Sequence, residues 1–310
     1  MTERGGSVAR VETVQAMLGD GLESAPVVAP DHDSRQLDWT LIISGIMVGC
    51  VVLLMITGPW IAPYDPNRID SVNRLMPPFW MDGGSMVHPL GTDGVGRDLF
   101  SRIVVSFRTS LIISLAGVLL AVTIGCVIGV TSGYLGGAID TSLMAITDIQ
   151  LSFPFVVLAV SLLGLVRPTP AVLIVVLSLA AWPMYARVVR SVTRQERGAD
   201  YVIAARSIGV PESRIIGYYI ARNIIPPVFL VAMLDIATLV VLESLLSFLG
   251  LGVQPPTASW GNIIAEAKNY LSSSWWVATL PGVAIVFTVL SFNLFGDSLH
   301  HYIDPRSTRR

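Results

Sequence analysis

The sequence predicts an all-α membrane protein with six transmembrane helices, and three observations carry that prediction. Hydrophobic residues make up 53% of the 310 residues and charged residues only 14%, against about 25% charged in an ordinary soluble domain. Residues 39–64, 109–139, 149–166, 168–186, 244–265 and 269–296 contain no Asp, Glu, Lys or Arg, and a helix needs about 20 mostly apolar residues to cross a bilayer. Both cysteines, Cys50 and Cys126, lie inside apolar runs, without the number a disulfide scaffold needs or the spacing of zinc ligands. This composition excludes a disordered chain, a collagen and a typical cytosolic enzyme. The net charge of −2 gives no reason to expect a nucleic-acid partner.

Residues 1–38 hold seven acids and three arginines and no apolar segment of the signal-peptide kind, so they are expected to be a disordered cytoplasmic tail. The first span covers 39–61, and an extracytoplasmic loop, 62–107, follows. Within it, residues 88–102 concentrate glycine and aspartate, which predicts a tight turn feeding a helix from Asp98; the spacing does not fit an EF-hand calcium loop. Further spans are expected near 110–132, 142–165, 169–187, 225–248 and 277–297, in a core over 108–299. Pro154, Pro168, Pro170 and Pro183 punctuate the third and fourth. Asp140 and Asp148 read as residues at the start of the third. Gly250, Gly252, Pro255, Pro256 and Gly261 turn the stretch after the fifth span into loop. Tyr270, Trp275 and Trp276 suit an interfacial belt, and 300–310 is expected as a cytoplasmic tail.

Six spans place both termini on one side. With that side cytoplasmic, the inside segments hold 13 of the 20 basic residues, seven of them between Arg187 and Arg222. The positive-inside rule favours this orientation, against the five arginines of the 62–108 segment.

Catalytic chemistry is hard to place. The chain has one lysine, Lys268, and no Gly-Lys-Ser/Thr sequence, so it lacks the lysine that a P-loop sets on the β/γ-phosphates. Gly94-Val95-Gly96 and Gly250-Leu251-Gly252 both miss the third glycine of a dinucleotide-binding loop. The histidines, His32, His88, His300 and His301, form no HExxH motif, and GxSxG is absent. No catalytic residue, metal site or cofactor is therefore expected in this chain.

The most informative stretch lies between the fourth and fifth spans. Asp200 can cap a short helix over 201–208, Gly209 suits the left-handed stop after it, and Pro211 can open a second helix. Val202, Ile203, Ile208, Ile215 and Ile216 alternate with Arg206 and Arg214, while Ala204 and Ala205 keep part of the surface small. Composition alone fits equally an amphipathic loop on the membrane and a docking helix for a cytoplasmic partner. Asp235 and Glu243, eight positions apart, fall about 80° apart around a helix and would share a broad face. Intramembrane acids commonly face a bundle interior or an aqueous cavity, which makes these two candidates for a translocation pathway.

The Ala204-Ala205, Gly209 and Asn223-Ile224-Ile225-Pro226 series resembles the coupling-helix signature of binding-protein-dependent ABC transporter permeases, which runs Glu-Ala-Ala, then Gly, then Ile-x-Leu-Pro. Ile203 stands where that family has Glu. Three further blocks look like the peptide-transporter branch of the DppC/OppC type: His88 to Arg102, Ser247 to Pro256 with Trp260-Gly261, and Phe292 to Asp297 with Asp304-Pro305-Arg306. The resemblance spans roughly residues 39–306. It implies a MetI-like permease core in a prokaryotic plasma membrane. It also implies a second homologous permease, two cytoplasmic ABC ATPase domains that bind the ATP and Mg, and an extracytoplasmic substrate-binding protein, with di- or oligopeptides as substrate. The coupling element is then 199–217, with Tyr201, Ala204, Ala205, Arg206, Gly209 and Ile215 carried over as coupling residues. Gln254, Pro255 and Trp260 would lie on the gate and binding-protein side. The substitution at Ile203 implies docking that leans on apolar packing. The alternatives are an ion-coupled secondary transporter, which would carry inverted repeats and ion sites, or, within the family, an importer of nickel chelates or glutathione-like solutes.

Overall fold

The computed structural model describes residues 39–303. The tail expected over 1–38 and most of the one over 300–310 lie outside the described residues. The order of elements is α1 (Trp39–Ile61), α2 (Leu99–Leu135), α3 (Gly137–Ser152), α4 (Phe155–Leu165), α5 (Pro170–Arg197), α6 (Asp200–Ser207), α7 (Glu212–Phe248, its segment Ile215–Ile220 wound as a π-helix), α8 (Trp260–Ala267) and α9 (Trp276–Ile303). Among the described residues there is no strand, only an isolated bridge between Thr92 and Asp98.

Five helices, α1, α2, α5, α7 and α9, are long and apolar enough to cross a membrane; α3 and α4 make a sixth span if taken together. That pair is bent by 85°. Pro154 supplies no N–H to continue α3 and forces the residue before it out of the helical region, and Phe153 accordingly sits at φ −91°, ψ 128°. The third span is thus broken where a continuous helix over 142–165 was expected. Asp148, expected near its start, stands in the last two turns of α3 and pairs with Arg187 at 2.7 Å. Asp140 does lie in the first turn, held by Arg190 of α5 at 2.5 and 2.6 Å.

The other spans run past their charge-free cores. α2 starts at Leu99, where the Asp98 side chain accepts from the Ser101 N–H. α5 reaches Arg197 and α7 begins at Glu212, so the presumed loop between them is mostly helix, and α9 continues to Ile303. Absence of charge marks the hydrocarbon crossing, whereas backbone hydrogen bonding carries a helix beyond it.

The most extensive helix pairing is α2 with α5. Its cause is a row of small residues. A Cβ on Gly125 would stand 2.4 Å from Tyr185 Cβ, on Gly129 2.7 Å from the Ala186 carbonyl oxygen, and on Gly133 2.7 Å from the Arg190 carbonyl oxygen. Small residues four apart let two backbones approach where lipid offers no hydrophobic drive for association. Around this pair, α1 packs on α2 and α9, α9 on α7, and α8 wedges between α7 and α9.

Candidate functional site

Three regions hold the polar chemistry: the α5–α6–α7 elbow, the acids of α7, and the α1–α2 loop with α8.

At the elbow, α5 ends at Gly198 and the chain reverses into α6. The Ala199 carbonyl accepts from Val202 and Ile203 N–H, so α6 starts one residue before the expected 201; Asp200 is its first residue rather than its cap, and makes no capping bond. A carboxylate in a first turn still suits the helix dipole. At the other end Gly209 has φ +81°, the Gly209 N–H reaches Arg206 O and the Val210 N–H reaches Ala205 O, the bonding of a left-handed glycine stop. Pro211 precedes Glu212, but no separate second helix forms: the chain passes through the π-wound turn straight into α7.

The six residues expected to couple here divide. Val202 and Ala205 are buried against the bundle, as is Ile215, so Ala205 and Ile215 offer no surface to a partner. Tyr201 and Arg206 turn toward their own chain. Tyr201 Oη donates to Glu196 at the end of α5, and the Asn223 side-chain N–H group of α7 donates to Glu196 at 2.9 Å and to Tyr201 Oη at 3.0 Å. Arg206 donates to Glu212 at 3.0 Å and to the Tyr134 hydroxyl of α2 at 3.0 Å. The Tyr201 hydroxyl is shifted upward, through its burial and through the Glu196 carboxylate that accepts its proton. The apolar surface exposed at α6 is Ile203 and Ala204, with Ile208 just past its end 82% exposed, beside the exposed polar Asp200, Tyr201, Arg206 and Ser207. α6 is therefore an amphipathic knuckle tied by hydrogen bonds to α2, α5 and α7.

The two acids of α7 do not share surroundings. Glu243 is fully buried; it accepts from Ser247 Oγ at 2.7 Å and is contacted by Ser244, in the wedge between α7 and α8. It has no surface for a solute to reach, which corrects the expectation of a common pathway face. Asp235 is half-buried and borders a cavity of ≈ 320 Å³ that Pro154, Phe155, Ala181 and Thr238 also line. A helix meets different neighbours along its length, so an 80° offset is enough to separate them.

At the α1–α2 loop the structure assembles a cluster that spacing did not reveal. Asp93 accepts from Arg97 Nε at 2.6 Å and from Arg102, and Glu266 of α8 accepts from the same two arginines, at 2.5 and 2.6 Å. Burial works against the charged form of Asp93, but the Arg102 and Arg97 guanidiniums and two backbone N–H groups outweigh it and hold the carboxyl below the usual range. Beside it His88 Nδ1 lies 2.9 Å from Asp98, whose other oxygen holds the start of α2. Trp260, expected on the gate and binding-protein side, is wholly interior: its indole N–H donates to Ile103 O at 3.2 Å and its ring meets Phe107 edge-on, the centroids 4.7 Å apart. An indole that large, followed by a glycine packed against Ser244, is an anchor for α8. Gln254 and Pro255 remain exposed, with the Gln254 side-chain N–H group donating to Gly250 O and Gly252 O. The short Asp-x-x-x-Arg and Arg-x-x-x-x-Arg spacings were in the sequence, but not the partner on α8.

Comparison with known proteins fits this architecture. The family model described as "Binding-protein-dependent transport system inner membrane component" matches residues 121–309, and the "N-terminal TM domain of oligopeptide transport permease C" matches 38–78. The chain belongs to this permease family. A probable D,D-dipeptide transport system permease protein of Escherichia coli (strain K12) is 37% identical, over 92% of this chain and 97% of its own. A nickel transport system permease protein of the same strain is 36% identical, over 86% and 94%. In a solved inward-facing MetNI methionine ABC transporter (CY5 native crystal form), a chain aligns with 63% of this one and 94% of itself, at 22% identity and a TM-score of 0.48. The protein is thus a multi-pass permease subunit of an ABC transport system, all-helical over its described residues.

Proposed function

We propose that this permease is one half of the translocation pathway of an ATP-driven importer for di- or oligopeptides. It pairs with a second homologous permease, receives work through α6 from two separate cytoplasmic ABC ATPase domains, and takes solute from an extracytoplasmic binding protein. Both termini and α6 face the cytoplasm, and the α1–α2 loop with α8 faces out. The chain carries no ATPase site and no cofactor of its own; ATP and Mg belong to the partner ATPases.

One observation carries this reading: the α6 knuckle exposes Ile203, Ala204 and Ile208 and is tied by hydrogen bonds to three spans. A partner that pressed on Ile203, Ala204 and Ile208 would move α2, α5 and α7 together, as the switch between inward and outward access requires. The dipeptide-system relative supports a peptide substrate. The similar identity to a nickel permease favours a second reading, a metal-chelate importer.

Co-purification tests the assembly. The tagged permease is expected to bring down a P-loop ATPase and a second permease in stable ratio, and isolation as a lone chain would defeat it. Uptake of labelled dipeptide against labelled nickel chelate, with the partner binding protein added, separates the two substrates.

A further inference from the structure

We propose that Asp235 is the anionic pole of a mid-membrane site for a cationic group, filled by the α-ammonium of a peptide during transport. The substrate part of this assignment rests on the peptide reading above; the cation site itself does not.

Asp235 lies 13 residues before the end of α7, about 20 Å along the helix at about 1.5 Å per residue, well inside a hydrocarbon layer of about 30 Å. One of its carboxylate oxygens is buried without a hydrogen-bond partner, and Asp235 forms no ion pair among the described residues. The group that faces it from α5 is Tyr185, a fully buried residue whose hydroxyl is close enough to interact with the carboxyl but also lacks a hydrogen bond of proper geometry. The neighbouring cavity is otherwise apolar apart from Thr238, and it is open on one side. Pro154, Phe155 and Val156, at the break between α3 and α4, line one side of it.

An acid in such a place is costly to keep unless something is gained by it. Glu243 shows the satisfied alternative on the same helix, closed in by serine hydroxyls. Asp235 has the opposite arrangement: one oxygen is buried beside Tyr185 without a well-formed hydrogen bond, and the residue borders the cavity. A primary ammonium carries three donors and no acceptor. It can neutralise the carboxylate from the cavity side and use the Thr238 hydroxyl as a further acceptor. Its apolar substituent then fills the rest of the ≈ 320 Å³.

Two measurements on the complete transporter in proteoliposomes test this. The first is ATP-driven uptake of dialanine with the binding protein present. Asp235→Asn is expected to lower it about tenfold or more, the scale of one charge-assisted hydrogen bond, with the complex still assembled; Asp235→Glu is expected to restore part of it. The second is labelling by the apolar carbodiimide dicyclohexylcarbodiimide, read by peptide mass. Asp235 is expected to be modified, and n-butylammonium, but not n-butanol, to protect it. Uptake by Asp235→Asn equal to wild type, or labelling that butylammonium does not slow, overturns the site. Wild-type complex that takes up no dipeptide while butylammonium still protects Asp235 defeats the peptide reading and leaves the cation site standing.

Discussion

Arg102 and Glu266, 164 positions apart in the chain, meet at 2.6 Å and close the end of the bundle that the α1–α2 loop covers. Arg102 is 1% exposed and shared between Asp93 and Glu266. Removing it would take one of two guanidiniums from buried Asp93, a loss bounded by the about 3–5 kcal/mol of breaking a buried pair outright. Arg102→Ala is therefore expected to lower the thermal unfolding midpoint of the purified permease sharply. Glu266→Gln should lower it less, because Glu266 is partly exposed and Asp93 still holds both arginines. Equal, small effects from the two would show that the cluster contributes little.

The same cluster sets a pH dependence. Asp93 is held below its ordinary value, so its contribution is complete above the unfolded carboxylate value near 3.8 and is lost as pH falls through the lower folded one. Unfolding followed in detergent from pH 7 downward should show no loss from this group at pH 5, and loss only below pH 4. In Asp93→Asn that acid-side loss should disappear. A wild-type loss centred above pH 5 would assign the acid sensitivity elsewhere.

Gly209 stands at φ +81° with nothing near a would-be Cβ, so the constraint there is conformational rather than spatial. A β-branched residue pays the left-handed penalty of about 1–2 kcal/mol, while Asn visits that region readily. Gly209→Val is expected to leave the spans folded but uncouple ATP hydrolysis from uptake, and Gly209→Asn to retain coupling. The ratio of solute moved to ATP hydrolysed checks both.

Ile208, 82% exposed at the tip of α6, is expected to be buried only on docking. Ile208→Asp should leave the melting of the lone permease unchanged and weaken its association with the ATPase by about tenfold or more, given the roughly 1.5–3 kcal/mol for burying such a side chain. Pull-down titration measures it. Unaltered association would place the dock elsewhere on the elbow.

The sequence made some of this legible and hid the rest for physical reasons. Most charge-free runs fell within the long apolar helices, and Gly209 and Asp98 announced a stop and a start, because those signals are local. Gly125, Gly129 and Gly133 were also local, and a four-residue spacing of small residues was a readable sign of the α2–α5 contact. The Arg102–Glu266 pair, the interior position of Trp260 and the separation of Asp235 from Glu243 depend on which helices become neighbours. No spacing within one helix encodes that. The roles of Tyr201 and Arg206 followed the same logic: both sit on α6, but their partners Glu196, Asn223, Tyr134 and Glu212 belong to the surrounding helices.

The most direct test is solute uptake into proteoliposomes containing this permease, its partner permease and the ATPases, with the P-loop lysine of the ATPases replaced by alanine. Uptake is expected to fall to the background of empty vesicles although the complex still assembles. Uptake that continues in the inactive complex, driven by an imposed proton or sodium gradient, would contradict it and make this chain part of a secondary transporter.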